Sequence, residues 1–124
     1  MYSGMTTVSL LLSNGCEPSM PIEKNIVIES EVLSETITVT TYDTAPNSDR
    51  KSIVYITDGQ KMIENGALEK IKDLSISQRI PDALYVFVST IDQVTNEDKR
   101  NTYFFCNDTY VQFFEEELIP QVEN

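Results

Sequence analysis

The chain has 124 residues, with 20 acidic side chains against 9 basic ones, a net charge of −11 and no histidine. That length suits one domain, able to withdraw roughly two thirds of its unfolded surface from water. The acidity argues against nucleic-acid binding, because phosphate backbones repel it, and the missing histidine removes the commonest neutral-pH base and the commonest zinc ligand.

Residues 1–24 differ from the rest. "TTVSLLLSNGCEPS" is a short apolar run followed by small residues, Cys16 and an acidic, proline-containing stretch. It resembles the end of a bacterial lipoprotein signal, which predicts export to the periplasm or beyond and a lipid anchor on Cys16. It departs from that pattern in having no basic residue in "MYSGM" and no leucine three residues before the cysteine. The alternative is a disordered or strand-forming extension on a cytoplasmic protein. Cys16 and Cys106 are too few for a zinc site and leave one disulfide or two free thiols open.

From Ile26 the pattern is regular. "NIVIES" is a short β-branched run, and "TITVTTYD" alternates Ile37, Val39 and Thr41 with other threonines, so the two predict an antiparallel hairpin. "APNSDRK" reads as a loop. "SIVYITDG" is a nearly continuous apolar run, suited to a strand buried on both faces. Ile63, Ala67, Ile71 and Leu74 then recur at helical spacing, predicting one amphipathic helix from about Lys61 to about Ser77, with Gly66 costing ~1 kcal/mol relative to alanine. "RIPDA" ends it, "LYVFVSTI" is a second buried strand, and "DQVTNEDKRN" is a polar loop. Asn107 or Asp108 is placed to cap a last helix whose stripe is Tyr110, Phe114, Leu118 and Val122, widened by Phe113. Pro120 is expected to kink that helix, and Glu115, Glu116 and Glu117 to form a solvated face.

The helical crossover makes the two apolar strands parallel. A hairpin followed by a βαβα unit is how α/β-hydrolases begin. A closer resemblance is carried by "SIVYITDGQ", "RIPDALYVFVSTID", Arg100 and "FFCNDTYVQFFEEELIPQVE". In this order they resemble the enterochelin-esterase-like branch of the α/β-hydrolases, also called the Putative esterase family, over residues 25–124. The resemblance implies the N-terminal half of a three-layer α/β-hydrolase fold and a cofactor-free serine ester hydrolase acting on a small-molecule ester. The last helix would then lead into the strand that carries the nucleophile elbow.

No G-x-S-x-G occurs in the sequence, and there is no histidine to serve a triad. Ser52, Ser75, Ser77 and Ser89 have no elbow context. The resemblance leaves Gly59 and Gln60 as backbone candidates for half of an oxyanion hole, Gln60 as the donor and Gly59 allowing close approach, against a plain strand-to-helix turn at Asp58-Gly59. It makes Arg100 a candidate for an anionic substrate group, against a plain surface pairing with Glu97 or Asp98. Tyr103, Phe104 and Phe105 would line a pocket or belong to the core. Asp58, Asp92 and Asp108 stand at or just beyond strand ends, where three carboxylates can hold a divalent cation, although such aspartates more commonly cap helices and turns.

Taken alone, these residues are expected to be inactive. A non-catalytic secreted or lipid-anchored interaction module is the other reading. The family's strand order puts "LYVFVST" between the hairpin and "SIVYITD", which leaves strand 53–57 as an apolar edge suited to homodimer pairing.

Overall fold

In the computed structural model, residues 20–104 and 107–123 are described. Cys16, Phe105 and Cys106 lie outside them, and so do the lipidation and disulfide readings. β1 (Ile22–Ser30) and β2 (Glu35–Asp43) form the expected antiparallel hairpin, in unbroken register from Ile22 opposite Asp43 to Ser30 opposite Glu35. β1 therefore begins before the apolar run at Ile26. Alternation buries Ile28, Ile37, Val39 and Thr41, as period two requires of a strand with one face on a core.

β3 (Ser52–Ile56) and β4 (Ala83–Asp92) are parallel, with Ser52 opposite Ala83 and Ile56 opposite Phe87. β4 also runs antiparallel to β2, with a register irregularity between Ile37 and Val39. The sheet order is β1-β2-β4-β3, as the resemblance implies. β4 is central and buried on both faces, whereas Ile53 and Val54 of β3 remain 37% and 38% exposed. The expectation that β3 is buried on both sides is thus not met. Among the described residues it pairs only with β4.

The crossover contains two helices instead of the single one predicted: α1 (Gly59–Glu64) and α2 (Ala67–Ile76). The break is at Gly66, whose φ of +95° is a left-handed conformation that glycine adopts without steric cost. After β4 come α3 (Arg100–Phe104) and α4 (Asp108–Phe113), which continues through a π-helical turn at Phe114–Leu118 into α5 (Ile119–Glu123). Asn107, not Asp108, caps α4. Its side chain accepts from the Thr109 and Tyr110 N–H groups at 2.9 and 3.2 Å and donates to the Thr102 carbonyl at 2.7 Å. Pro120 has no N–H to offer the carbonyl four residues back and crowds it sterically. The wider π-helical turn immediately before it absorbs that misfit.

Two packed interfaces make three layers. Ile28, Ile37, Val39, Val86 and Val88 face Tyr103, Tyr110, Phe113 and Leu118 of the C-terminal helices. On the other side Tyr42 and Phe87 pack on Leu68, with Ile63, Ala67 and Ile71 around them. Each fully buried side chain of this size contributes about 1.5–3 kcal/mol. The Glu115–Glu117 run is not wholly solvated. Glu117 turns back to the hairpin and accepts from the Ser30 hydroxyl and from the Glu31 and Val32 N–H groups, the last two at 2.8 and 3.3 Å. An otherwise open turn thereby gains partners for its backbone donors.

Candidate functional site

The C-terminal ends of β3 and β4 lie side by side because the two strands are parallel and adjacent. In open α/β sheets this is where ligands bind. The residue that turns β3 into α1 is Asp58, held at φ +58° and ψ +35°. Left-handed backbone is uncommon outside glycine, and aspartate is among the side chains that tolerate it. Asp58 occupies the cap position of α1, yet its side chain makes no capping bond. Its carboxylate is held elsewhere: Oδ2 accepts from Arg100 Nε at 2.9 Å, and Oδ1 lies 3.2 Å from both Gln60 Nε2 and Thr90 Oγ1. The Asp58 carbonyl accepts from Lys61 and Met62 N–H. The N–H groups of Gly59 and Gln60, in the first turn of α1 where a helix leaves its donors unpaired, meet no acceptor among the described residues.

Gly59 is required here for packing. A Cβ built on it would stand 2.6 Å from the Phe87 carbonyl carbon and 2.6 Å from the Val88 nitrogen. Both are backbone atoms of the central strand and cannot move aside. Glycine thus allows the start of α1 to press directly on β4.

Thr90, fully buried at 0% exposure, is the hub of the polar contacts. Gln60 grips it twice: Gln60 Oε1 accepts from Thr90 N–H at 2.9 Å, and Gln60 Nε2 donates to Thr90 Oγ1 at 2.8 Å. The Thr90 hydroxyl is also 2.9 Å from Asp98 Oδ1, which accepts from the Arg100 N–H at 3.0 Å. Two carboxylates thus share one hydroxyl proton. Arg100 supplies the cation that relieves their repulsion, and its guanidinium also lies over the Phe104 ring, 5.7 Å from the centroid. Its side chain is 56% exposed. Beneath this turn the Tyr110 hydroxyl is buried with no hydrogen-bond partner among the described residues. Burial, and then the nearby charge of Asp58, push its pKa up, so it stays a neutral donor.

The family model described as Putative esterase matches residues 30–124. The chain belongs to that family. Among solved structures, it is similar in fold to the enterobactin esterase FES from Shigella flexneri solved in the presence of enterobactin, with 22% identity and a TM-score of 0.71 over 87% of this chain and 28% of that one. The enterochelin esterase from Shigella flexneri matches at 24% identity and a TM-score of 0.70, over 86% of this chain and 26% of that one. Ferric enterobactin esterase from Salmonella typhimurium matches at 24% identity and a TM-score of 0.68, over 86% and 26%. The chain spans about a quarter of the length of these structures. No curated protein matches it.

For this Putative esterase chain, the structure brings Gly59, Gln60 and Arg100 together at one sheet end. Arg100 pairs through its side chain with Asp58, an alternative to both Glu97 and Asp98 that the sequence reading did not weigh. Tyr103 belongs to the core: it stacks on Tyr110 at 4.6 Å, and its hydroxyl donates to Glu35, which also meets Lys99 at 3.2 Å. Phe104 is half-exposed beside Arg100. The three-aspartate cation reading is corrected. Asp92 is engaged elsewhere, accepting from Val94 N–H and the Thr95 hydroxyl in its own turn and from Thr36 N–H of β2. Asp108 begins α4, and no cluster of three ligating side chains is found among the described residues.

Sequence reasoning missed the roles of Thr90 and of the Gln60 side chain. The available signal was a threonine ending an apolar run, a polar group that burial obliges to find partners.

Proposed function

We propose that these residues supply the leading part of a serine ester hydrolase, including one half of its oxyanion hole, and are inactive alone. The observation that carries this is the pair of uncommitted N–H groups of Gly59 and Gln60 at the C-terminal end of the parallel strand pair, in a chain of the Putative esterase family. In α/β-hydrolases one oxyanion donor comes from the loop after the third strand and the other follows the nucleophile. When a serine attacks an ester carbonyl, the carbonyl oxygen becomes an oxyanion. Fixed N–H donors stabilise that charge without reorganising, at about 3 kcal/mol for one donor.

The serine, and the histidine that accepts its proton, would come from further polypeptide, since this sequence contains neither G-x-S-x-G nor histidine. Arg100 keeps its terminal guanidinium nitrogens for an anionic group on the ester, because only Nε is engaged with Asp58 among the described residues. The exposed side of β3 is the position for the next strand, or in its absence for a second copy of this chain. We further propose export and lipid attachment at Cys16, from the signal-like sequence before it.

The test is to sequence the gene beyond codon 124, express it to its stop, and assay both products on a chromogenic ester. The expected result is a downstream G-x-S-x-G and histidine, hydrolysis by the longer product, and background rates for the 124-residue chain. Turnover by the 124-residue chain alone would overturn the proposal. So would a stop codon directly after Asn124 in a stable protein, which would favour a non-catalytic interaction module. Metabolic labelling with palmitate, lost in Cys16→Ser, tests the anchor.

A further inference from the structure

The Gly59 and Gln60 N–H groups can serve as donors only if the turn that carries them is rigid, yet that turn has no capping bond from Asp58. Its rigidity has another source. The Gln60 amide pairs with Thr90 at both ends, 2.9 Å to the backbone N–H and 2.8 Å to the hydroxyl. A side-chain amide so placed imitates one rung of a sheet ladder and continues the β3–β4 pairing past Ile56. The same hydroxyl reaches Asp58 Oδ1 at 3.2 Å and Asp98 Oδ1 at 2.9 Å. Arg100 closes the ring, its N–H on Asp98 and its Nε on Asp58. Thr90, near the end of β4, thus ties the β3–α1 turn to the β4–α3 loop, and the Arg100–Asp58 pair joins the two directly.

We propose that the side chains of Gln60 and Thr90 are positioning residues, which fix the β3–α1 turn and so hold the Gly59 and Gln60 N–H groups in a single direction. This rests on the oxyanion-hole reading above and deepens it. Neither side chain acts on the ester itself; the Gln60 backbone does, and its side chain aims it.

The proposal separates from ordinary stabilisation by its readouts. Thr90→Val removes the hydroxyl at nearly constant volume, Gln60→Met removes both amide bonds, and Thr90→Ser restores the hydroxyl. In the 124-residue chain, backbone order parameters of Gly59 and Gln60 are expected to fall from about 0.85 to below about 0.6 in the first two variants. They should return toward the rigid value in Thr90→Ser, with the rest of β3 and β4 unchanged. In the longer gene product, kcat for a chromogenic ester is expected to fall about 100-fold with KM within twofold, the loss that a misplacement of about 1 Å brings.

Unchanged order parameters in both variants would overturn the proposal. A uniform loosening of the whole sheet, or loss of folding in both variants, would also overturn it by making the pair structural. If the longer wild-type product shows no hydrolysis, the esterase reading fails, and the order parameters still decide whether Gln60 and Thr90 fix the turn.

Discussion

β4 and β3 lie side by side and in register, and both consist of apolar, mostly β-branched or aromatic residues, yet one is interior and the other is a rim. Val86, Phe87 and Val88 of β4 have at most 1% of their surface exposed. They sit between β2 and β3 with helices on both faces. β3 pairs with β4 on one side and with no strand among the described residues on the other. Burial is set by neighbours as well as by residue type, and β3 carries an interior composition at a rim.

The largest expected effect is on the interior strand. Phe87→Ala should cost about 3–5 kcal/mol, the range for truncating a buried aromatic. Ile53→Ala, one strand away, should stay within about 0.5–1 kcal/mol. Chemical denaturation of both variants measures the difference, and equal losses would erase the distinction between the strands.

Gly59→Ala comes next, at about 1–3 kcal/mol for overpacking, because the added methyl collides with the β4 backbone. A midpoint unchanged from wild type would mean that α1 does not press on β4 as described.

The end of β4 carries a pH-dependent contribution. Burial alone would raise the pKa of Asp92, but bonds from Val94 N–H, Thr36 N–H and the Thr95 hydroxyl, together with the Lys99 charge, bring it below its ordinary value of 3.8. A carboxyl depressed in the folded state adds stability that is complete above the unfolded value and is lost as pH falls through the folded one. Denaturation midpoints followed from neutral pH into the acid range should therefore drop less steeply in Asp92→Asn than in the wild type. Parallel acid limbs would refute this.

The smallest effect on stability belongs to the rim. Val54→Lys should shift stability by no more than about 0.5 kcal/mol while abolishing any dimer seen by sedimentation, because an edge lysine opposes strand pairing. A dimer that survives it would have to use another surface.

Much of the architecture was legible from residue spacing. The alternation of Ile37, Val39 and Thr41 assigned the hairpin. The two apolar runs flanking a helical period required a parallel pair, and the ordered pieces from "SIVYITDGQ" onward pointed to the family. The candidate site was legible only as the backbone of Gly59 and Gln60 and the side chain of Arg100. The partners of those residues were not, because the contacts between Gln60 and Thr90 and between Asp58 and Arg100 join positions 30 and 42 residues apart. Likewise Glu117 read as one more solvated acid, since nothing local indicates that its reach ends at the hairpin turn.

What the sequence determined by itself was periodicity, charge and the absence of a histidine and an elbow serine, since these are properties of residues one after another. Tertiary structure alone decided that Gly59 presses on the β4 backbone and that one buried threonine serves two aspartates. Each of those facts depends on which groups meet across the sheet, and the strand order of the folded chain sets those meetings.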